Sequence, residues 1–77
     1  MKIIKFNRAL DSNNEIIITI DFKLGNINYI YCCGESKNTK KAIYGCLYKN
    51  NNGGREIVRL PLIEKQLKNQ YNKGLLN

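Results

Sequence analysis

The chain has no histidine and no tryptophan, one proline, three cysteines, and six acidic residues against thirteen basic ones. Each shortage excludes something. Without histidine, no side chain has an ordinary pKa near neutrality, so there is no ready general base. No Ser, Thr or Cys has an evident base partner. The acids are scattered, with no pair at a spacing suited to acid–base work. An enzyme is therefore not expected. Three cysteines without histidine or a Cys-x-x-Cys spacing make a poor metal site, and no cofactor is expected. Asn52-Gly53-Gly54-Arg55 fits neither common phosphate-binding glycine pattern and reads as a turn. No apolar run is long enough to span a membrane. Met1-Lys2-Ile3-Ile4-Lys5 does not open a secretory signal. An odd cysteine count without such a signal points to free thiols in a reducing, cytoplasmic setting. Cys32 and Cys33 are adjacent, so on a strand they face opposite ways, whereas Cys33 and Cys46 could approach across neighbouring strands.

What is present suits a small folded domain. Seventy-seven residues make one domain, in which only about 60% of the unfolded surface is buried. Eleven isoleucines and two phenylalanines are enough for a core. The strongest signal is Glu-Ile-Ile-Ile-Thr-Ile-Asp-Phe over 15–22, with Ile16, Ile18, Ile20 and Phe22 on one parity. That is a half-buried strand, built from β-branched side chains that pack well on a pleated surface.

The rest arranges itself around this strand. Residues 2–7 read as a first strand, and Asp11-Ser12-Asn13-Asn14 as a turn. Lys23-Leu24-Gly25-Asn26 is a second turn, followed by a strand over 27–33. Residues 40–49 admit two readings. As a helix, Ala42, Ile43, Cys46 and Leu47 form a stripe; as a strand, Ala42, Tyr44, Cys46 and Tyr48 share a face. The Asn-Gly within 50–54 favours a hairpin pairing 41–49 with 55–60. Pro61 then opens a helix, with Leu60, Ile63, Leu67 and Tyr71 as its apolar stripe and Gly74 as its left-handed C-cap. The expected fold is α+β: a small twisted antiparallel sheet of about five strands, able to close toward a barrel, with the C-terminal helix packed on it. In outline this is similar to small chromatin-type DNA-binding proteins of the SH3-like barrel kind, an architectural likeness that carries no function.

The net charge of +7 is unevenly placed. Residues 1–35 hold four bases and four acids, and residues 36–77 hold nine bases and two acids. Such segregation points to a polyanionic partner met by the second half, with Lys2 and Lys5 outside the contact. Tyrosines Tyr29, Tyr31, Tyr44 and Tyr48 fall on two strands that neighbour each other in the hairpin reading. Exposed tyrosines can stack on bases while Lys and Arg neutralise phosphates. The candidate nucleic-acid-binding residues are Lys37, Lys40, Lys41, Tyr44, Tyr48, Lys49, Arg55 and Arg59. The expected partner is DNA or RNA. The alternative is a host protein with an acidic or nucleic-acid-binding surface. In that case the chain is an accessory or inhibitor protein of a phage or mobile element, acting on a target such as a defence nuclease, in the manner of an anti-CRISPR. Twelve asparagines beside many Lys and Ile fit the AT-rich coding sequences common in such elements.

Overall fold

The structure is a computed structural model that describes residues 1–51 and 53–74. Five strands form one antiparallel sheet in the order of the chain: β1 (Lys2–Leu10), β2 (Ile16–Leu24), β3 (Ile27–Glu35), β4 (Ala42–Asn51) and β5 (Gly54–Val58). The sheet stays open, with β1 and β5 as its edges. One helix, α1 (Pro61–Asn72), follows. The sheet with its C-terminal helix is the fold class that the sequence pattern implies; closure into a barrel does not occur. Residues 40–49 are strand rather than helix. No helix among the described residues is long and apolar enough to cross a membrane.

The turns follow from their side chains. Asp11 Oδ1 accepts the backbone N–H groups of Asn13 (2.8 Å) and Glu15 (2.9 Å), and Asn14 takes φ 60°. This is the local bonding by which Asp and Asn compete for turns. The β2–β3 turn uses Gly25 at φ 59°. In the β4–β5 hairpin Asn51 pairs with Gly54 and Gly53 has φ 89°; Asn52 lies outside the described residues.

The parity of β2 decides which face is the core. Ile18, Ile20 and Phe22 are fully buried with Tyr31, Leu47 and Leu67. In register, Phe6, Ile20, Tyr31, Leu47 and Val58 form one row across all five strands on this side. The helix closes over it with Leu60, Ile63, Leu67 and Tyr71. A β-bulge between Ile3 and Lys5 leaves Ile4 56% exposed on the β1 edge. Bulges and charged side chains discourage unwanted edge pairing.

Two polar clusters anchor the helix ends. Glu64 accepts the backbone N–H of Leu60 at 2.9 Å and Arg59 Nε at 3.3 Å, so its carboxylate satisfies an N-terminal donor. At the other end, Arg8 of β1 pairs with Glu35 of β3 at 2.9 Å and donates to the Tyr71 hydroxyl at 3.1 Å, while that hydroxyl donates to Glu35 Oε1. Asn72 Oδ1 accepts the Ala42 N–H at 2.7 Å. Gly74 follows at φ 71°, the left-handed cap that its lack of a Cβ permits.

Candidate nucleic-acid interface

The helix covers one side of the sheet, and no other element among the described residues covers the opposite side, where Ile30 is 9% exposed and Tyr48 half-buried. Because paired residues in an antiparallel sheet share a face, the register fixes what this open face carries. Its first row is Lys2, Lys23 and Asn28 on β1–β3, with the Asn50–Arg55 pair at the same end on β4 and β5. The second row is Lys5, Asp21, Ile30, Tyr48 and Ile57. The third is Asn7, Thr19, Cys32 and Cys46, and the fourth Ala9, Ile17, Gly34 and Ile43. A second bulge, where the register shifts between Cys33 and Gly34, places Tyr44 across Gly34. A Cβ at Gly34 would lie 3.1 Å from the Tyr44 hydroxyl oxygen, so glycine there makes room for the ring. The bulge also moves Ala42 to the helix side, away from Tyr44, Cys46 and Tyr48.

The result is an apolar, aromatic surface with a cationic margin. Tyr44 is 65% and Ile57 67% exposed. Ile17, Cys32, Tyr44, Cys46 and Tyr48 border a shallow depression. A more polar one adjoins it beyond Tyr44, edged by Glu15, Ser36 and Lys37. The like-charged pair Lys2–Lys23 sits directly across two strands at one end. Direct like-charge pairs oppose sheet formation and are relieved by an anion. The Tyr48 hydroxyl is held above the ordinary tyrosine pKa, first by the Cys46 thiol and then by burial, and so remains a donor.

The eight residues singled out in the sequence divide three ways. Tyr44, Tyr48 and Arg55 come together on the open face. Lys37, Lys40 and Lys41 occupy the β3–β4 turn at one end of the sheet. This turn is closed by Lys40 N–H to Ser36 O (2.8 Å) and Ser36 N–H to Lys41 O (2.9 Å), with Lys40 at φ 59°. Lys49 and Arg59 lie apart from both groups. Lys49 is paired with Tyr29 and Glu56 in a row of the helix side. Arg59 follows the end of β5 and turns to Glu64. Of the four tyrosines, Tyr29 and Tyr31 face the helix: Tyr29 stacks on Phe22 at 5.3 Å, and Tyr31 is fully buried. Cys46 is opposed by Cys32, not Cys33, which pairs with Gly45 on the core side.

Lys2, Lys5 and Lys23 share the open face although they belong to the electrically neutral half of the chain. Lys23 was within reach of sequence reasoning, since its parity is opposite to that of Ile18 and Phe22. Lys2 and Lys5 required the β1–β2 register. No family model matches the chain, and no curated protein or solved structure is significantly similar to it.

Proposed function

We propose that this chain is a small, non-catalytic nucleic-acid-binding module whose open sheet face receives a single strand. The observation that supports this is the face that no described element covers: exposed Tyr44 and half-buried Tyr48 on one strand, with Lys23 and Arg55 at its margin. Bases stack on exposed aromatic rings whatever their sequence, and cations along the path neutralise phosphates. The Lys37–Lys40–Lys41 turn extends the positive margin at the opposite end from Arg55. Fluorescence anisotropy with a labelled single-stranded oligonucleotide, titrated with salt, tests this. Affinity should fall linearly in log–log form, with a slope near 0.7 per phosphate contacted, an approximate single-strand value.

A second reading draws on the apolar part of the same face. Ile57, Ile43 and Tyr44 are large exposed side chains of the kind that anchor protein interfaces. In that reading the chain is an accessory or inhibitor protein of a phage or mobile element that docks on a host protein, and its binding is much less salt-sensitive. No nucleic-acid binding at moderate salt makes this the leading account.

A further inference from the structure

Cys32 and Cys46 are direct register partners on β3 and β4, at the centre of the open face. Cys46 is exposed and Cys32 half-buried, and both are free thiols. Directly opposed residues of an antiparallel pair have Cα atoms about 4.5 or about 5.5 Å apart, depending on the pair type. Both values lie within the roughly 4.4–6.8 Å that a disulfide spans. Cβ atoms in such pairs stand about 4.5–5.5 Å apart, at or beyond the upper end of the disulfide range of about 3.5–4.5 Å. A bond here draws the strands together slightly and is correspondingly easy to reduce. Cys33 is excluded: it points through the sheet to the core, is 4% exposed, and burial pushes its thiol pKa up to about 11.

We propose that Cys32 and Cys46 are a reversible thiol–disulfide site that closes when the chain meets a disulfide oxidant such as oxidised glutathione. The exposed Cys46 thiolate attacks one sulfur of the oxidant and expels a glutathione thiolate, leaving a mixed disulfide. The Cys32 thiolate then attacks the Cys46 sulfur and expels the second glutathione. The two protein thiols are oxidised by two electrons, the oxidant is reduced to two thiols, and the two protons released by the cysteines pass to them. The slight mismatch in Cβ spacing and the exposure of Cys46 place the bond among labile, regulatory disulfides rather than structural ones. That suits a chain in a reducing compartment, where disulfides are transient. The bond lies between Tyr44 and Tyr48 on the face, and so reports the state of that surface.

The test is native incubation of the whole chain with oxidised glutathione, followed by unfolding, iodoacetamide labelling and intact mass. The untreated chain takes up three labels, one for each cysteine. The oxidised chain should take up one, with a mass two hydrogens lighter than the singly labelled reduced chain, and dithiothreitol should restore three. Cys33→Ser should still close the bond and take up no label after oxidation. Cys32→Ser should stop at a glutathione adduct on Cys46. Three labels after oxidation, a lasting glutathione adduct on the unaltered chain, or dimers joined through Cys46 would overturn the proposal. The readout is mass alone, so it stands or falls separately from nucleic-acid binding.

Discussion

The phenol of Tyr31 lies across Gly45. A Cβ at position 45 would stand 2.7 Å from Tyr31 Cζ, nearer still to its hydroxyl oxygen, and 3.0 Å from the carbonyl oxygen of Cys32. The ring on β3 therefore occupies volume that β4 leaves vacant, directly under the helix. Its hydroxyl is buried with no hydrogen-bond partner among the described residues, and burial holds its pKa far above the ordinary tyrosine value.

This contact predicts opposite signs for two small changes. Gly45→Ala should cost about 1–3 kcal/mol, because backbone as well as ring would have to move. Tyr31→Phe should be neutral or stabilising, since it removes a buried hydroxyl that makes no bond. Together, Tyr31→Phe should recover part of the Gly45→Ala loss. Urea denaturation of the three variants measures the cycle; simple additivity would show that the ring and the glycine do not meet.

The parity of β2 gives a second prediction. Ile18→Ala should lose about 2–5 kcal/mol, a large share of what a chain this short has. Ile57→Ala, on the open face, should stay within about 0.5 kcal/mol of the parent. A larger loss for Ile57→Ala than for Ile18→Ala in thermal melts would mean that the faces are reversed, and equal losses would mean that the open face is itself packed.

Acid should act through the Arg8–Glu35–Tyr71 cluster. The hydrogen bond from Arg8, then that from Tyr71, holds the Glu35 carboxyl below its ordinary value. A carboxylate depressed in the folded state stabilises fully above its unfolded pKa, about 4.3, and that contribution disappears as pH falls through the lower folded value. Stability should therefore decline below about pH 4, and Glu35→Gln should be less stable near neutrality with a shallower decline in acid. Tyr71→Phe should cost about 1 kcal/mol through the lost hydroxyl bonds. Chemical denaturation at a series of pH values reads these effects; parallel pH profiles for Glu35→Gln and the parent would remove Glu35 from the account.

Local signals made much of this fold legible. The alternation around Ile18, the Asn and Gly turns, and Pro61 with Gly74 each act within a few residues, and each appears where its chemistry puts it. Residues 40–49 are ambiguous in sequence because their apolar side chains fit a helical stripe and a strand face alike, and Gly45 costs either choice. The reason for glycine there is the ring of Tyr31, a contact between strands. The site was less legible for the same reason. A bulge lets Tyr44 join Cys46 and Tyr48 while sending Ala42 to the other side, and no single-strand periodicity contains that shift. Arg59 looks like a surface cation in the sequence, but Glu64 five residues on takes it as a partner. Charge counted by halves of the chain missed Lys23, which the fold brings beside the second half.

The last prediction separates that face from charge in general. Lys23→Glu with Arg55→Glu reverses two charges on the open face. Lys65→Glu with Lys73→Glu reverses two on exposed positions of the helix and its C-cap. The net change is the same, so a purely global attraction would be weakened equally by both pairs. If phosphates follow the open face, the first pair should weaken binding to a single-stranded oligonucleotide strongly and reduce the salt slope, while the second changes affinity only slightly and leaves the slope unchanged. Tyr44→Ala and Tyr48→Ala should each cost about 1–3 kcal/mol on single strands, the usual worth of a stacked base, and little on duplex. Tyr44 is exposed and Tyr48 half-buried, so the melting temperature should barely move for Tyr44→Ala, and the affinity of Tyr48→Ala is compared at a temperature where its melt shows it folded. Anisotropy titrations at two salt concentrations, on single-stranded and duplex probes, decide the matter. Equal weakening by the two charge pairs would leave only nonspecific attraction, and the exposed Ile57 and Tyr44 would then be better read as anchors for a protein.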